Sequence, residues 1–241
     1  MKRIAIIAMV AGALLCSCVD STKVNFSFDH PERYSVGDAT IEQTVKSINI
    51  DWLSGDVDIR YSDNAELRIY EEVTETSIPL TDTLRMHYYI DEEGELDIKF
   101  CGKGKYRYGN LKGLNKHLYV DVPQGVSLDE INIDGVQSNV RIVGVHSREL
   151  TVDGVKVNVN AHYPDSLPDE IDLDGVSCLL AIHVLPTAGL TIEMSGVRPE
   201  LTCDLPSKKE GEKTIVGDGQ CKVDADGVNV KLCIGEIKKG A

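Results

Sequence analysis

The chain is 241 residues long and acidic, with a formal net charge of −14, and its aromatic content is 5% with one tryptophan, Trp52. That length supports one sizeable hydrophobic core or at most two small ones. The charge argues against nucleic acid and against broad adsorption to anionic lipid, and so few aromatic residues leave little for the exposed ring platforms that sugar-binding surfaces use.

The N-terminus comes first. Lys2 and Arg3 precede an apolar run from Ile4 to Leu15, too short to span a bilayer as a helix. "LCSC" at Leu15–Cys18 then resembles a bacterial lipoprotein signal. Leu15 stands at −3, small Ser17 at −1, and Cys18 is the residue that would be diacylated and become the mature N-terminus. Cys16 fits poorly, because Leu15 would then occupy −1. An ordinary cleaved signal peptide is the alternative. The expected organisation is a lipoprotein signal peptide over 1–17, a tether over 18–35 and one domain over 36–241, exported and held at the cell envelope by lipid on Cys18. An outer-membrane lipoprotein is expected, with the face of the membrane left open.

From Ile48 to Val122 the signals are those of β-structure. "INIDWLSGDVDI" (Ile48–Ile59) carries, in degraded form, the pattern of the repeat described next, whereas "LRIYEEV" (Leu67–Val73), "LRMHYYI" (Leu84–Ile90), "ELDIKF" (Glu95–Phe100) and "HLYVDV" (His117–Val122) read as longer, partly antiparallel strands joined by polar turns.

A repeat follows. Around Gly135, Gly154, Gly175, Gly196 and Gly227, the positions at −4, −2, +1, +5 and +7 are all apolar, with mostly polar residues between them. Around Gly135, for example, they are Ile131, Ile133, Val136, Val140 and Ile142. Period-two alternation on both sides of a glycine predicts two strands per repeat with a corner between them. Spacings of 19, 21, 21 and 31 residues predict a parallel β-solenoid, or β-helix, of roughly 20-residue rungs stacked in sequence order. Ile133, Val152, Leu173 and Met194 should then form one inward stack, with Val157 inward and Asn158 outward. The excess in the last spacing, Pro206–Val216, reads as a polar loop. The fold class expected is all-β, with a less regular, partly antiparallel N-terminal half. Cys101, Cys178, Cys203, Cys221 and Cys233 are odd in number and lack a C-x-x-C, so neither a disulfide framework nor a zinc site is indicated, and Cys178 and Cys203 should be separate thiols.

"LYVDVPQGVSLDEINIDGVQSNVRI" (Leu118–Ile142) resembles the entry of bacterial adhesin-like domains of unknown function, the auto-transporter-adhesin-like or head-GIN-type family, and "GDGQCKVDADGVNVKL" (Gly217–Leu232) resembles their closing rung. The likeness covers about residues 36–240 and rests on spacing and composition. This chain departs from the family in writing Asp-Gly-Val where Ser-Gly-Asp-Val, present here at Ser54–Val57, is more usual. The resemblance implies a lipid-anchored or secreted β-solenoid and brings no catalytic residues.

Three groups of side chains are candidates. Asp134, Asp153, Asp174 and Asp226 should stack in a column about 4.8 Å apart, either as a calcium edge or as ordinary Asp-Gly turn chemistry. Lys103, Lys105, Tyr106, Arg107 and Tyr108 form a basic-aromatic cluster that could hold an anionic glycan or protein partner through charge and cation–π contacts, or be a solvated loop. His162, His183 and Asp204 fall at +8 on three repeats and could line a surface column able to hold zinc, copper or nickel, or be solvated strand ends. No nucleophile elbow, phosphate loop or metalloprotease motif is present. The expected role is a non-enzymatic, adhesin-like envelope interaction module with no cofactor. An envelope-stress sensing or regulatory lipoprotein, and a polysaccharide-active β-helix enzyme, are the alternatives.

Overall fold

The computed structural model describes residues 23–76, 78–107, 111 and 113–237. Cys18 and Tyr108 lie outside the described residues, as does the side chain of Arg107. The protein is all-β. The N-terminal part contributes β1 (Lys23–Phe26), β2 (Ser35–Val36), β3 (Ala39–Ile41), β4 (Ser47–Ser62), β5 (Leu67–Thr76), β6 (His87–Ile90), β7 (Glu95–Lys99), β8 (Gly104–Arg107) and β9 (Leu114–Pro123). The repeats contribute β10 (Ser127–Val143), β11 (His146–Tyr163), β12 (Glu170–Val176), β13 (Leu179–Val184), β14 (Leu190–Met194), β15 (Glu200–Cys203), β16 (Ser207–Glu210), β17 (Lys213–Val216), β18 (Cys221–Val228) and β19 (Lys231–Glu236).

β10 and β11 pair in parallel from Ser127↔His146 to Val143↔His162, although only Gly144 and Val145 join them. Parallel neighbours ordinarily need a crossover of a dozen or more residues. Here the return is made inside the strand, which bends at the repeat glycine. Each repeat therefore has a first half before the glycine and a second half after it, and both bury alternate residues in one apolar core. β4 pairs in parallel with β10 over both halves, so "INIDWLSGDVDI" is a further repeat.

The glycines are demanded by backbone packing. A Cβ on Gly227 would lie 1.9 Å from the carbonyl oxygen of Gly175, and one on Gly175 would lie 2.2 Å from that of Gly154. No side chain fits between neighbouring bends. The valine after each glycine was expected to face the core. In the later repeats it faces out instead: Val176, Val228 and Val197 are 43%, 39% and 57% exposed, whereas Val136 is partly buried against the core. The +3 residues Ser138, Val157, Cys178 and Val230 fill the inside of the bend. Val157 is buried and Asn158 exposed, as the register predicts.

The order of the repeats departs from the sequence. β12 and β13 pair with β18 and β19, and these in turn pair with β14 and β15. The Gly227 repeat is therefore seated between the Gly175 and Gly196 repeats, and Ala225 separates Leu173 from Met194. A terminal repeat is covered on one side only. Val223, Ala225, Leu232 and Ile234 are accordingly fully buried in the doubly covered seat, whereas Met194, Leu201 and Cys203 at the end are partly exposed. The expected loop at Pro206–Val216 is a hairpin, β16–β17, whose second strand runs antiparallel along β14 and covers that edge.

The N-terminal end is mixed. β7 and β9 run parallel to β4, while β6 and β5 add to them in antiparallel fashion and β2 and β3 lie outside these. Part of the expected tether is built into the fold: β1 pairs with β8, and Tyr34 donates a hydrogen bond of 2.9 Å to Asp97. Lys116 is completely buried in this end. Its ammonium lies 2.7 Å from Glu71, donates to the carbonyls of Leu84 (3.1 Å) and Phe100, and sits 4.2 Å from the Phe100 ring centroid. Burial pulls its pKa down, and Glu71 opposes that shift.

Candidate functional site

The parallel register turns the sequence repeat into columns of side chains at the strand spacing of about 4.8 Å. On the outer face of the first halves, Asp51, Asp134, Asp153, Asp174 and Asp226 stand in one column, so the expected aspartate column forms and gains Asp51. Like charges at this spacing oppose ionisation. Burial, then the charges of Asp51 and Asp153, push the Asp134 carboxyl up to about 7. Asp153 is raised by burial and by Asp174. Within the column, Lys99 lies 2.7 Å from Asp51; on the neighbouring positions, Lys222 lies 2.6 Å from both Glu170 and Asp224. Carboxylate oxygens of Glu170, Asp172 and Asp224 lie within 4.8 Å of one another, the spacing a metal ion needs, but the Lys222 ammonium already bridges two of them.

The outer face of the second halves carries a polar and aromatic cluster that sequence reasoning missed. Tyr119 on β9 stacks on His117 of the same strand (centroids 4.0 Å) and on Tyr70 of β5 (4.6 Å). Arg60 on β4 lies over the Tyr119 ring at 5.3 Å, donates to the Tyr70 hydroxyl at 2.9 Å and pairs with Asp121 at 2.8 Å. Asp58 joins His117 (3.1 Å) to Arg141 (3.5 Å). Across the strands, the Asn139 amide donates to Asp56 and the Asn158 amide to Asn139. Rings, guanidinium groups, carboxylates and amides are thus held by one another on a rigid sheet, a preorganised array for polar recognition. Tyr70 and Tyr119 become neighbours only through the antiparallel β5–β9 register, which their separation in sequence does not announce.

The predicted site residues fare differently. Lys103 and Lys105 are exposed beside the β1–β8 ribbon. Tyr106 is half-buried, its ring edge-on to Phe26 at 5.9 Å and its hydroxyl donating to the carbonyls of Gly102 (2.8 Å) and Thr83 (3.1 Å), so it anchors the ribbon. His162 and His183 come together in register, with rings stacked at 4.4 Å and 15°. Burial, then His183 and Arg141, lower the His162 pKa. Asp204 does not join them. The intercalated repeat places Gly235 beside His183, and the Asp204 amide bonds the carbonyl of Ile234 one strand further on. Cys178 and Cys203 are separate free thiols, and Cys101, Cys221 and Cys233 are free as well.

Neither a family model nor a curated protein matches the chain. Solved structures do. A putative cell adhesion protein from Clostridium sporogenes matches with a TM-score of 0.66 at 11% identity, over 85% of this chain and 100% of that one. The chain has the fold of the Clostridium protein. A putative adhesin from Bacteroides fragilis is similar at 14% identity over 84% of this chain and 98% of that one, with a TM-score of 0.35. Among the described residues no helix is long and apolar enough to cross a membrane.

Proposed function

We propose that the protein is a non-enzymatic, adhesin-like module of the bacterial cell envelope, anchored by lipid on Cys18, with a β-solenoid as its body. The observation that carries this reading is the outer face around Tyr119. Its polar and aromatic side chains are held by mutual contacts on a rigid sheet, an arrangement suited to holding a partner. The fold shared with a solved bacterial protein described as a putative cell adhesion protein supports the same reading. The solenoid reading rests on the 19-residue register offset closed by a two-residue connection. The partner is a glycan or a protein at the envelope, bound through the Tyr119 face, with Lys103 and Lys105 beside the β1–β8 ribbon as a second contact.

The test has two parts. Cys18→Ala should move the protein from the membrane fraction to the soluble exported fraction, and an unchanged distribution rejects the anchor. The purified mature domain should be retained on intact cells or an envelope glycan panel, and Tyr119→Ala with Arg141→Ala should reduce that retention while Asp226→Asn leaves it unchanged. Release of new reducing ends from any glycan would reject the non-enzymatic reading.

A further inference from the structure

The two halves of the stack end differently. On the first-half side the sheet continues past the last repeat, because β17 lies along β14 and β16 along β17. On the second-half side β15 is the last strand, and among the described residues its strand partner is β19 alone. The apolar interior is therefore roofed on one side only at this end, which leaves Leu201 and Cys203 partly exposed.

Main-chain hydrogen bonds fix which groups face outward. The amides of Glu200 and Asp204 donate to the carbonyls of Val230 and Ile234, both at 2.9 Å, on the β19 side. Successive residues of a strand turn their main-chain groups to alternate edges, so Leu201 and Cys203 turn theirs to the open edge. Pro199 is next in the same alternation, and an edge is where a strand accepts a residue with no amide to donate. An open edge with apolar side chains behind it is a template for another strand. Val197, 57% exposed just before β15, adds apolar surface beside it.

Charge selects the partner. Arg198 and Asp204 stand three residues to either side of Leu201, both exposed, and neither side chain has a hydrogen bond or ion pair among the described residues. Glu200, between them, is already paired with Lys231 at 2.6 Å. A second copy of β15 laid antiparallel about a two-fold axis at Leu201 sets each Arg198 against the other copy's Asp204. A parallel copy sets like against like. About the same axis the two Leu201 residues exchange both main-chain hydrogen bonds, and each Cys203 amide donates to the other copy's Pro199 carbonyl. The surface is self-complementary, as an isologous contact requires.

We propose that β15 is the contact of a symmetric homodimer, in which two chains pair antiparallel through Glu200–Cys203 and join their second-half sheets into one. The two-fold axis then sets both outer faces on the same side of the joined sheet. The contact depends neither on the Tyr119 face nor on lipid anchoring.

The test is sedimentation velocity on the full mature chain carrying Cys18→Ser, at physiological salt and loading concentrations of about 10 µM to about 1 mM, the range suited to a small contact. A reversible monomer–dimer equilibrium is expected. Arg198→Asp should weaken it about tenfold with the melting temperature unchanged. Arg198→Asp combined with Asp204→Arg should restore it, because the swap recreates both opposite-charge contacts. In a Cys203→Ser background, Leu201→Cys should form a disulfide-linked dimer on mild oxidation, and Lys156→Cys, exposed on another strand, should not. Residues that exchange both hydrogen bonds stand about 5.5 Å apart at Cα, within the span of a disulfide. A chain that stays monomeric throughout would overturn the proposal. A dimer indifferent to the charge variants, with Leu201→Cys crosslinking no more than Lys156→Cys, would place the contact elsewhere and overturn this edge. Growth beyond the dimer would overturn the closed two-fold pairing. A monomer whose Leu201 and Cys203 amides resist hydrogen exchange would assign the edge to another segment of the same chain, and overturn the second copy as its occupant.

Discussion

The two ends of the stack are held by different physics. From β10 onward the interior is a repeated apolar alternation, and the bends at Gly154, Gly175, Gly196 and Gly227 pack glycine on glycine. The N-terminal end instead buries a charge: Lys116 and Glu71 meet beside Trp52 and Phe100, where parallel and antiparallel pairings mix. An apolar stack tolerates a small loss at any one repeat, because neighbours share the contact. A buried ion pair tolerates no removal of one partner, because the other is left unpaired away from water. The repeats should therefore lose stability in increments, and the N-terminal end in one step.

The largest effect should come from that end. Lys116→Ala leaves Glu71 buried and should cost about 3–5 kcal/mol, read as the shift in urea midpoint. Lys116→Met with Glu71→Leu should recover most of it, and no recovery would mean that the pair contributes more than its own charges. In the repeats, Val157→Asp buries an unpaired carboxylate inside the bend and should cost about 3 kcal/mol. Next comes the bend itself. Gly227 has φ +131° and a backbone oxygen 1.9 Å from where a Cβ would lie, whereas a Cβ on Gly135 would meet only a methyl of Val157 at 2.7 Å. Gly227→Ala should therefore cost about 2–3 kcal/mol and Gly135→Ala about 1 kcal/mol, and equal melting temperatures would contradict the glycine packing.

Asp134 gives a pH test. Its folded-state pKa is raised to about 7, against roughly 3.9 in the unfolded chain. Between these values the folded state holds a proton that the unfolded state has lost, so stability rises as pH falls from above 7 towards 4. Asp134→Asn should flatten this dependence and stabilise the protein at pH 8, measured by urea midpoints at pH 8 and pH 5. The smallest effect belongs to Asn158→Asp, exposed on the outer face, which should stay within about 0.5 kcal/mol.

The repeats were legible because period-two alternation and the central glycine are local signals. They gave the two strands of each repeat, the inward Val157 and the outward aspartate column. The orientation of Val176, Val197 and Val228 was not legible, since an apolar residue next to a bend satisfies an inward alternation whichever way it points. Neither was the order of the last two repeats, because strands of like apolar alternation are interchangeable partners as far as local pattern goes. Consequently the histidine column was half right: His162 and His183 adjoin, and Asp204 is displaced by Gly235. Lys116, Glu71 and the Tyr70–Tyr119–His117 stack gave no signal because they meet through long-range antiparallel pairing.

The intercalated repeat also sets a timetable. Among the described residues β14 pairs with β17 and β18, and β15 with β19. These strand partners of Leu190–Cys203 are all made after it. At roughly 5–20 residues per second, a few seconds of synthesis separate these strands from the chain that will cover them. During that interval Val197 and the β15 edge face whatever else is nearby, and an open strand edge is a template for wrong pairing. Pro199 and Pro206 flank β15. Each removes a backbone donor next to the waiting strand, which shortens the edge a wrong partner could zip onto before the last repeat arrives.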